Sequence, residues 1–226
     1  ELAIRPGPDG NRRLAMSSNN AGKVLKFLDY YENMIGGEFL VMGTFDDRAP
    51  GQPLRGRIAV RDYRVVNAPV LARLLSIMSL TGILDALEGD GLAFSDLSAP
   101  FELLQGVFEL KGARASGTAL GFTANGKIFR HADVVDLEGT VIPAYALNSA
   151  FGRIPLLGDL FSGGEKGGGI FAAAYTMTGP IEEPVVSVNP LSALAPGFLR
   201  NVFGIIGKAN NERSILQEET VQPHLQ

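Results

Sequence analysis

Cysteine and tryptophan are absent from the 226 residues, and histidine occurs only as His131 and His224. Without cysteine there is no disulfide framework, no thiolate-bound zinc or iron–sulfur cluster, and no thiol nucleophile. Two histidines leave little for a histidine-rich metal site. No apolar run reaches the roughly 20 residues that carry a helix across a bilayer. The best, Val70 to Leu84, is interrupted by Arg73, Ser76, Ser79 and Gly82. Positive charge is not in excess either. Twenty basic against 24 acidic residues give a net charge of −4, which argues against nucleic acid as a partner. Hydrophobic residues make up 46%, near the average for globular proteins, so disorder is excluded for most of the chain. A chain this long buries a core without covalent staples.

Glycine and phenylalanine are plentiful, at 28 and 13 residues. That pairing points to bent or closely approached strands rather than a helical bundle. Glu1 in place of an initiating Met leads us to expect a piece of a longer protein. The lack of a leader or anchor here then says nothing about the parent.

Two periodicities alternate along the chain. Phe39, Val41, Gly43 and Phe45 alternate with Glu38, Leu40, Met42 and Thr44. After a turn at Arg48 to Gly51, Gly56, Ile58 and Val60 alternate with Arg55, Arg57, Ala59 and Arg61. This predicts a hairpin. Gly91 to Phe129 reads as three or four strands, broken at Pro100, near Gly106 and at Gly112 to Gly117. Asp133 to Ala144 and Gly168 to Thr178 read as two more strands.

Helical spacing predicts Asn20 to Tyr30, capped by Asn19 or Asn20, and Asn67 to Met78, with Asn67 as cap and Pro69 in the first turn. Gly82 is expected to break the latter, followed by a short turn from Ile83 to Leu87. Tyr145 to Phe151 and Pro196 to Lys208 complete the helices. The fold class expected is α+β, mostly β: one strongly curved antiparallel sheet with several short amphipathic helices packed on or beside it. Residues 1–208 form one β-rich domain, and 209–226 a polar tail.

The motifs that resemble reactive sites dissolve on inspection. Gly121 to Lys127 has phosphate-loop spacing, but Ile128 stands where Ser or Thr should hold magnesium, and the stretch alternates like a strand. The Gly163 to Gly169 run precedes a strand, whereas a phosphate cradle follows one and opens a helix. His131 has no Gly-x-Ser-x-Gly elbow to accompany it. The paired carboxylates Asp46-Asp47 and Glu182-Glu183 sit in turn contexts. We therefore expect no enzymatic site, no metal and no cofactor.

The order of words after residue 126 is specific. Gly126-Lys127-Ile128 leads to Asp136-Leu137-Glu138-Gly139-Thr140-Val141-Ile142-Pro143-Ala144, then Ile154-Pro155-Leu156-Leu157-Gly158 and Gly169-Ile170-Phe171. Gly179-Pro180, Pro184 to Ser192 and Ala195 to Arg200 follow. The series resembles the C-terminal region of AsmA-like proteins, the group that includes YhdP and is related to TamB. The match covers roughly residues 90–205.

The resemblance implies a periplasmic bridge, anchored in the inner membrane outside these residues, whose curved sheet forms an apolar groove. Its implied activity is non-catalytic transport of phospholipid between the inner and outer membranes. The implied partners are phospholipid and a membrane surface or a protein on the outer-membrane side. The alternative is a structural capping or docking module of an envelope-assembly protein, its groove filled by its own helices.

The expected groove lining is Val135, Leu137 and Val141 from one strand and Phe171, Tyr175 and Met177 from the next. Ala172, Ala173 and Ala174 leave room either for an acyl chain or for a packed helix. The apolar arc of Pro196 to Lys208 is either core or membrane contact. Its contact candidates are Phe198, Leu199, Val202, Phe203 and Ile206, with Arg200 and Lys208 near anionic headgroups.

Overall fold

A computed structural model of the chain describes residues 1–143 and 172–189. The expected helices Tyr145 to Phe151 and Pro196 to Lys208, the five contact candidates on the second, Phe171, the glycine run and the tail all lie outside the described residues.

The elements run β1 (Leu2–Pro6), β2 (Arg12–Ser18), α1 (Ala21–Phe27), β3 (Met34–Phe45), β4 (Leu54–Val65), α2 (Pro69–Ile77) and α3 (Thr81–Glu88). Then come β5 (Leu92–Leu104), β6 (Val107–Gly117), β7 (Leu120–Phe129), β8 (Val134–Pro143), β9 (Ala173–Pro180) and β10 (Val185–Asn189). The ten strands pair antiparallel in sequence order, as one open, curved sheet plus helices.

The predicted hairpin is present as β3 and β4, with Phe45 opposite Leu54 and Phe39 opposite Val60. Alternation assigns the faces. Phe39, Val41, Leu54 and Val60 are buried on one face, while Arg55, Arg57, Arg61 and Arg64 stand exposed on the other. A net of ion pairs crosses that outer face: Glu102 on β5 accepts from Arg55 on β4 at 3.1 Å and from Lys111 on β6 at 2.9 Å.

Several expected boundaries are corrected. α1 ends at Phe27 rather than Tyr30, because Asp29 takes a positive φ of 56° and Tyr30 N–H turns back to Leu25 O. Its cap is Asn20, whose side chain accepts from Lys23 N–H at 3.0 Å. The cap of α2 is Ala68, not Asn67; Asn67 has φ 47° and its carbonyl accepts from Asn33 Nδ2. Pro69 opens the helix as expected, since its missing N–H is one that needs no partner there.

The break after α2 falls at Ser79, with φ 56°, and Gly82 lies in the first turn of α3 instead. Gly91 to Phe129 holds three strands. Pro100 does not end one: it pairs with Arg57 on β4, and the register with β6 shifts between Ser98 and Phe101, where proline offers no N–H. Gly112, at φ 76°, is likewise a bulge inside β6 rather than a break.

The curvature follows from where α2 lands. It leaves β4, yet it packs against β10. Six strand spacings of about 4.8 Å separate those strands in the sheet. A nine-residue helix is only about 14 Å long. A flat sheet would hold β10 out of reach. The two neighbouring leucines of α2 serve opposite walls. Leu75 joins the core of β3 to β7 with Phe39, Val60 and Phe94, whereas Leu74 joins Val141, Ala173, Tyr175 and Val186 of β8 to β10.

Candidate functional site: a partly covered apolar face

At one end of the sheet every connection is a short loop without a helix, between β1 and β2, β3 and β4, β5 and β6, β7 and β8, and β9 and β10. The helices α1, α2 and α3 connect strands at the other end. The concave face is therefore filled unevenly. Under α2 and α3 it is sealed: Leu75, Leu87, Leu120 and Val141 are fully buried. Toward the turn end the same face remains partly exposed at Leu14, Phe45, Leu103, Phe108, Ile128 and Met177. At the β1 edge it runs out into solvent, with Leu2 64% and Ile4 54% exposed. Leu2 lies opposite Met16 and Ile4 opposite Leu14, so both continue the inward row.

The floor is aromatic. Tyr63 of β4 stacks on Phe94 of β5 at 5.2 Å, and Phe94 meets Phe122 of β7 edge-on at 5.5 Å. Phe101 stacks on Phe108 at 4.9 Å nearer the turns. Such pairs add about 0.5–1.5 kcal/mol each beyond the area they bury. At the rim, Arg12 lies over the Phe45 ring at 4.4 Å while its guanidinium holds Asp47. That hydrogen bond keeps the Asp47 carboxyl below its usual range.

The sequence-selected residues separate into two groups. Val135, Leu137, Val141, Tyr175 and Met177 all fall on the concave face. Leu137 is directly opposite Met177, and Val141 directly opposite Ala173. Leu137 and Met177 are partly exposed, whereas Val135, Val141 and Tyr175 are buried. Of the alanines weighed for chain space, Ala173 packs in the cluster that α2 seals.

Tyr175 reaches across the sheet. It pairs with Gly139, which has no side chain to block it, and its hydroxyl donates to Thr123 O on β7 at 2.8 Å. Burial pushes this phenol up to about 12.

Tyr63 is the residue that sequence reasoning missed. Its alternation marks it as core, yet its buried hydroxyl has no hydrogen-bond partner among the described residues. An unsatisfied buried hydroxyl costs about 1–3 kcal/mol. Burial raises its pKa, and the nearby Tyr31 phenol adds to the effect. Tyr31 follows α1, and it too is pushed up to about 12 by burial around its phenol, although the residue as a whole is 37% exposed.

The segment between α1 and β3 crosses the concave face. It leaves the helical end of the sheet, yet Tyr30 lies under the guanidinium of Arg130, in the turn that ends β7, at 4.7 Å. Arg130 also donates to Asp29 O at 3.5 Å.

His131 occupies the turn between β7 and β8, its ring filling the space beside Gly106. Asp46-Asp47 and Glu182-Glu183 lie in turns, as expected. The phosphate-loop-like stretch is β7. Among the described residues no cluster of His, Cys, Asp or Glu could hold a metal ion, and no helix is long and apolar enough to cross a membrane. The chain matches no protein-family model, curated protein or solved structure.

Proposed function

We propose that the chain is a non-catalytic segment of a periplasmic, inner-membrane-anchored bridge that moves phospholipid between the inner and outer membranes. Its apolar face carries the acyl chains. The observation that carries this reading is the partly exposed row at the turn end of the concave face, continued by Leu2 and Ile4 at the open edge. Leu54, Phe101 and Val135 of that row are buried, but the others stay partly open and Leu2 and Ile4 carry the row off the sheet, more apolar edge than a closed core needs. An acyl chain has no hydrogen-bonding groups, and shielding each methylene is worth about 0.8 kcal/mol. Rows of similar strands hold such a chain loosely and let it slide. The order of words shared with AsmA-like proteins supports the same reading.

One observation favours a second reading, the capping or docking module. α2 closes the helical end by packing on both walls, so that part of the face is filled by the chain's own residues. The two readings part in a direct test: extract and identify lipid from the purified chain, beside a Leu110→Glu, Leu137→Glu variant. Both positions are inward and partly exposed. Phospholipid that co-purifies with the wild type and is lost from the folded variant supports transport. A lipid-free wild type supports the module.

A further inference from the structure

We propose that residues 28–31 form a latch over the aromatic floor of the concave face, poised between a closed and an open position and held closed by Arg130. Both ends of the segment are fixed. Ala21 at the start of α1 is fully buried, and Gly22 lies so close to Met34 O that no Cβ would fit. At the other end Asn33 accepts from Val66 N–H at 2.9 Å and donates to Asn67 O at 2.7 Å.

The tip between these anchors is different. It folds back on α1 through Leu28 N–H to Val24 O at 3.0 Å and Tyr30 N–H to Leu25 O at 2.9 Å. Burial holds only part of it: Leu28 is 38% and Tyr30 54% exposed, and Phe27 before them 88%, whereas the Tyr31 phenol is buried. Apart from Tyr31 beside Tyr63, the described contacts that hold it across the face come from Arg130, through the Tyr30 ring and Asp29 O. Both contacts are of the weak, solvent-exposed kind.

Beneath α1 and this tip lies the opposing term. Ala21, Val60 and Tyr63 converge beside Gly37, so α1 sits over Tyr63, and Tyr31 adjoins its phenol. The closed position keeps the Tyr63 hydroxyl buried without a partner among the described residues. Opening would give it water, or the polar end of an amphiphile entering the groove. A weak external clasp set against an unsatisfied internal group is a balanced device, and it lies on the path between the open turn end and the Tyr63–Phe94–Phe122 floor. The inference rests on the groove reading only for what passes beneath the latch.

The test is amide hydrogen exchange at residues 28–31 in the whole chain, whose N–H groups bond back to α1 and are freed as the tip peels away from it to open. Arg130→Ala should speed exchange there roughly three- to tenfold, with β3 and β4 unchanged. Tyr63→Phe, which deletes only the hydroxyl, should slow it by at least about threefold. Tyr30→Phe keeps a ring under the cation and should match the wild type. Unchanged exchange in Arg130→Ala would overturn the latch. If that variant loses protection throughout, Tyr63→Phe decides: slower exchange supports the device, and equal or faster exchange overturns it. The predicted exchange changes in protein free of lipid would leave the latch standing and remove only its cargo.

Discussion

Gly139 shows how one missing side chain organises a wall of the groove. A Cβ at that position would lie 2.8 Å from the Tyr175 hydroxyl and collide outright with Thr123 O. Gly139→Ala must therefore displace the tyrosine and strain the β7–β8 ladder. We expect a loss of about 2–4 kcal/mol in urea unfolding. Tyr175→Phe, which removes one buried hydrogen bond but keeps the ring, should cost only about 1 kcal/mol. Equal losses would mean that the ring does not depend on the glycine.

The tyrosines also set an alkaline limit. Tyr31 and Tyr175 are held up to about 12, and Tyr63 is raised as well, against about 10 in an unfolded chain. A phenol raised in the folded state gives stability that is complete below pH ~10 and lost as pH climbs from there through ~12. Phenolate absorbance should thus lag behind that of the urea-unfolded chain across that window, with the urea midpoint falling. A folded chain that titrates like the unfolded one would contradict the burial.

Among the elements, α2 is the joint between two clusters. Leu75→Ala removes a fully buried side chain from the larger core and should cost about 2–5 kcal/mol, felt across β3 to β7. Leu74→Ala should instead loosen β9 and β10, since its partners are Val141, Ala173, Tyr175 and Val186. Hydrogen exchange resolves the two. Loss of protection in the same strands for both variants would show that the helix does not bridge the walls.

Elements were legible where one period ran uninterrupted. The β3–β4 hairpin and the faces of β8 and β9 follow from alternation of apolar and polar residues. Boundaries were less legible where the backbone, not composition, decides. Asp29, Asn67 and Ser79 end or flank helices with positive φ; Asp and Asn adopt it more readily than other side chains, but identity alone does not say which of them will, and Ser79 gives no such sign. Pro100 and Gly112 read as breaks, but a long antiparallel ladder absorbs both by shifting register. In the candidate site, Leu137 and Met177 were legible as inward residues of neighbouring strands, and the structure sets them opposite each other. Which inward residues α2 seals was not, because that depends on a helix that crosses from β4 to β10. The Tyr63 hydroxyl and the Arg130 clasp join residues far apart in sequence and left no local signal.

At the scale of the whole molecule, one open sheet presents an apolar face that the helices among the described residues cover only in part. The central claim is that the uncovered part receives acyl chains. The most direct measurement is photo-crosslinking in phospholipid-containing membranes, with a photoreactive residue placed singly along the sheet. Leu14, Leu103 and Leu137 sample the partly exposed concave row, Val141 the sealed part, and Ala59 and Lys127 the outer face. The account predicts phospholipid adducts at Leu14, Leu103 and Leu137 and none at Val141, Ala59 or Lys127. Adducts on both faces alike, or at none of the concave positions, would contradict it.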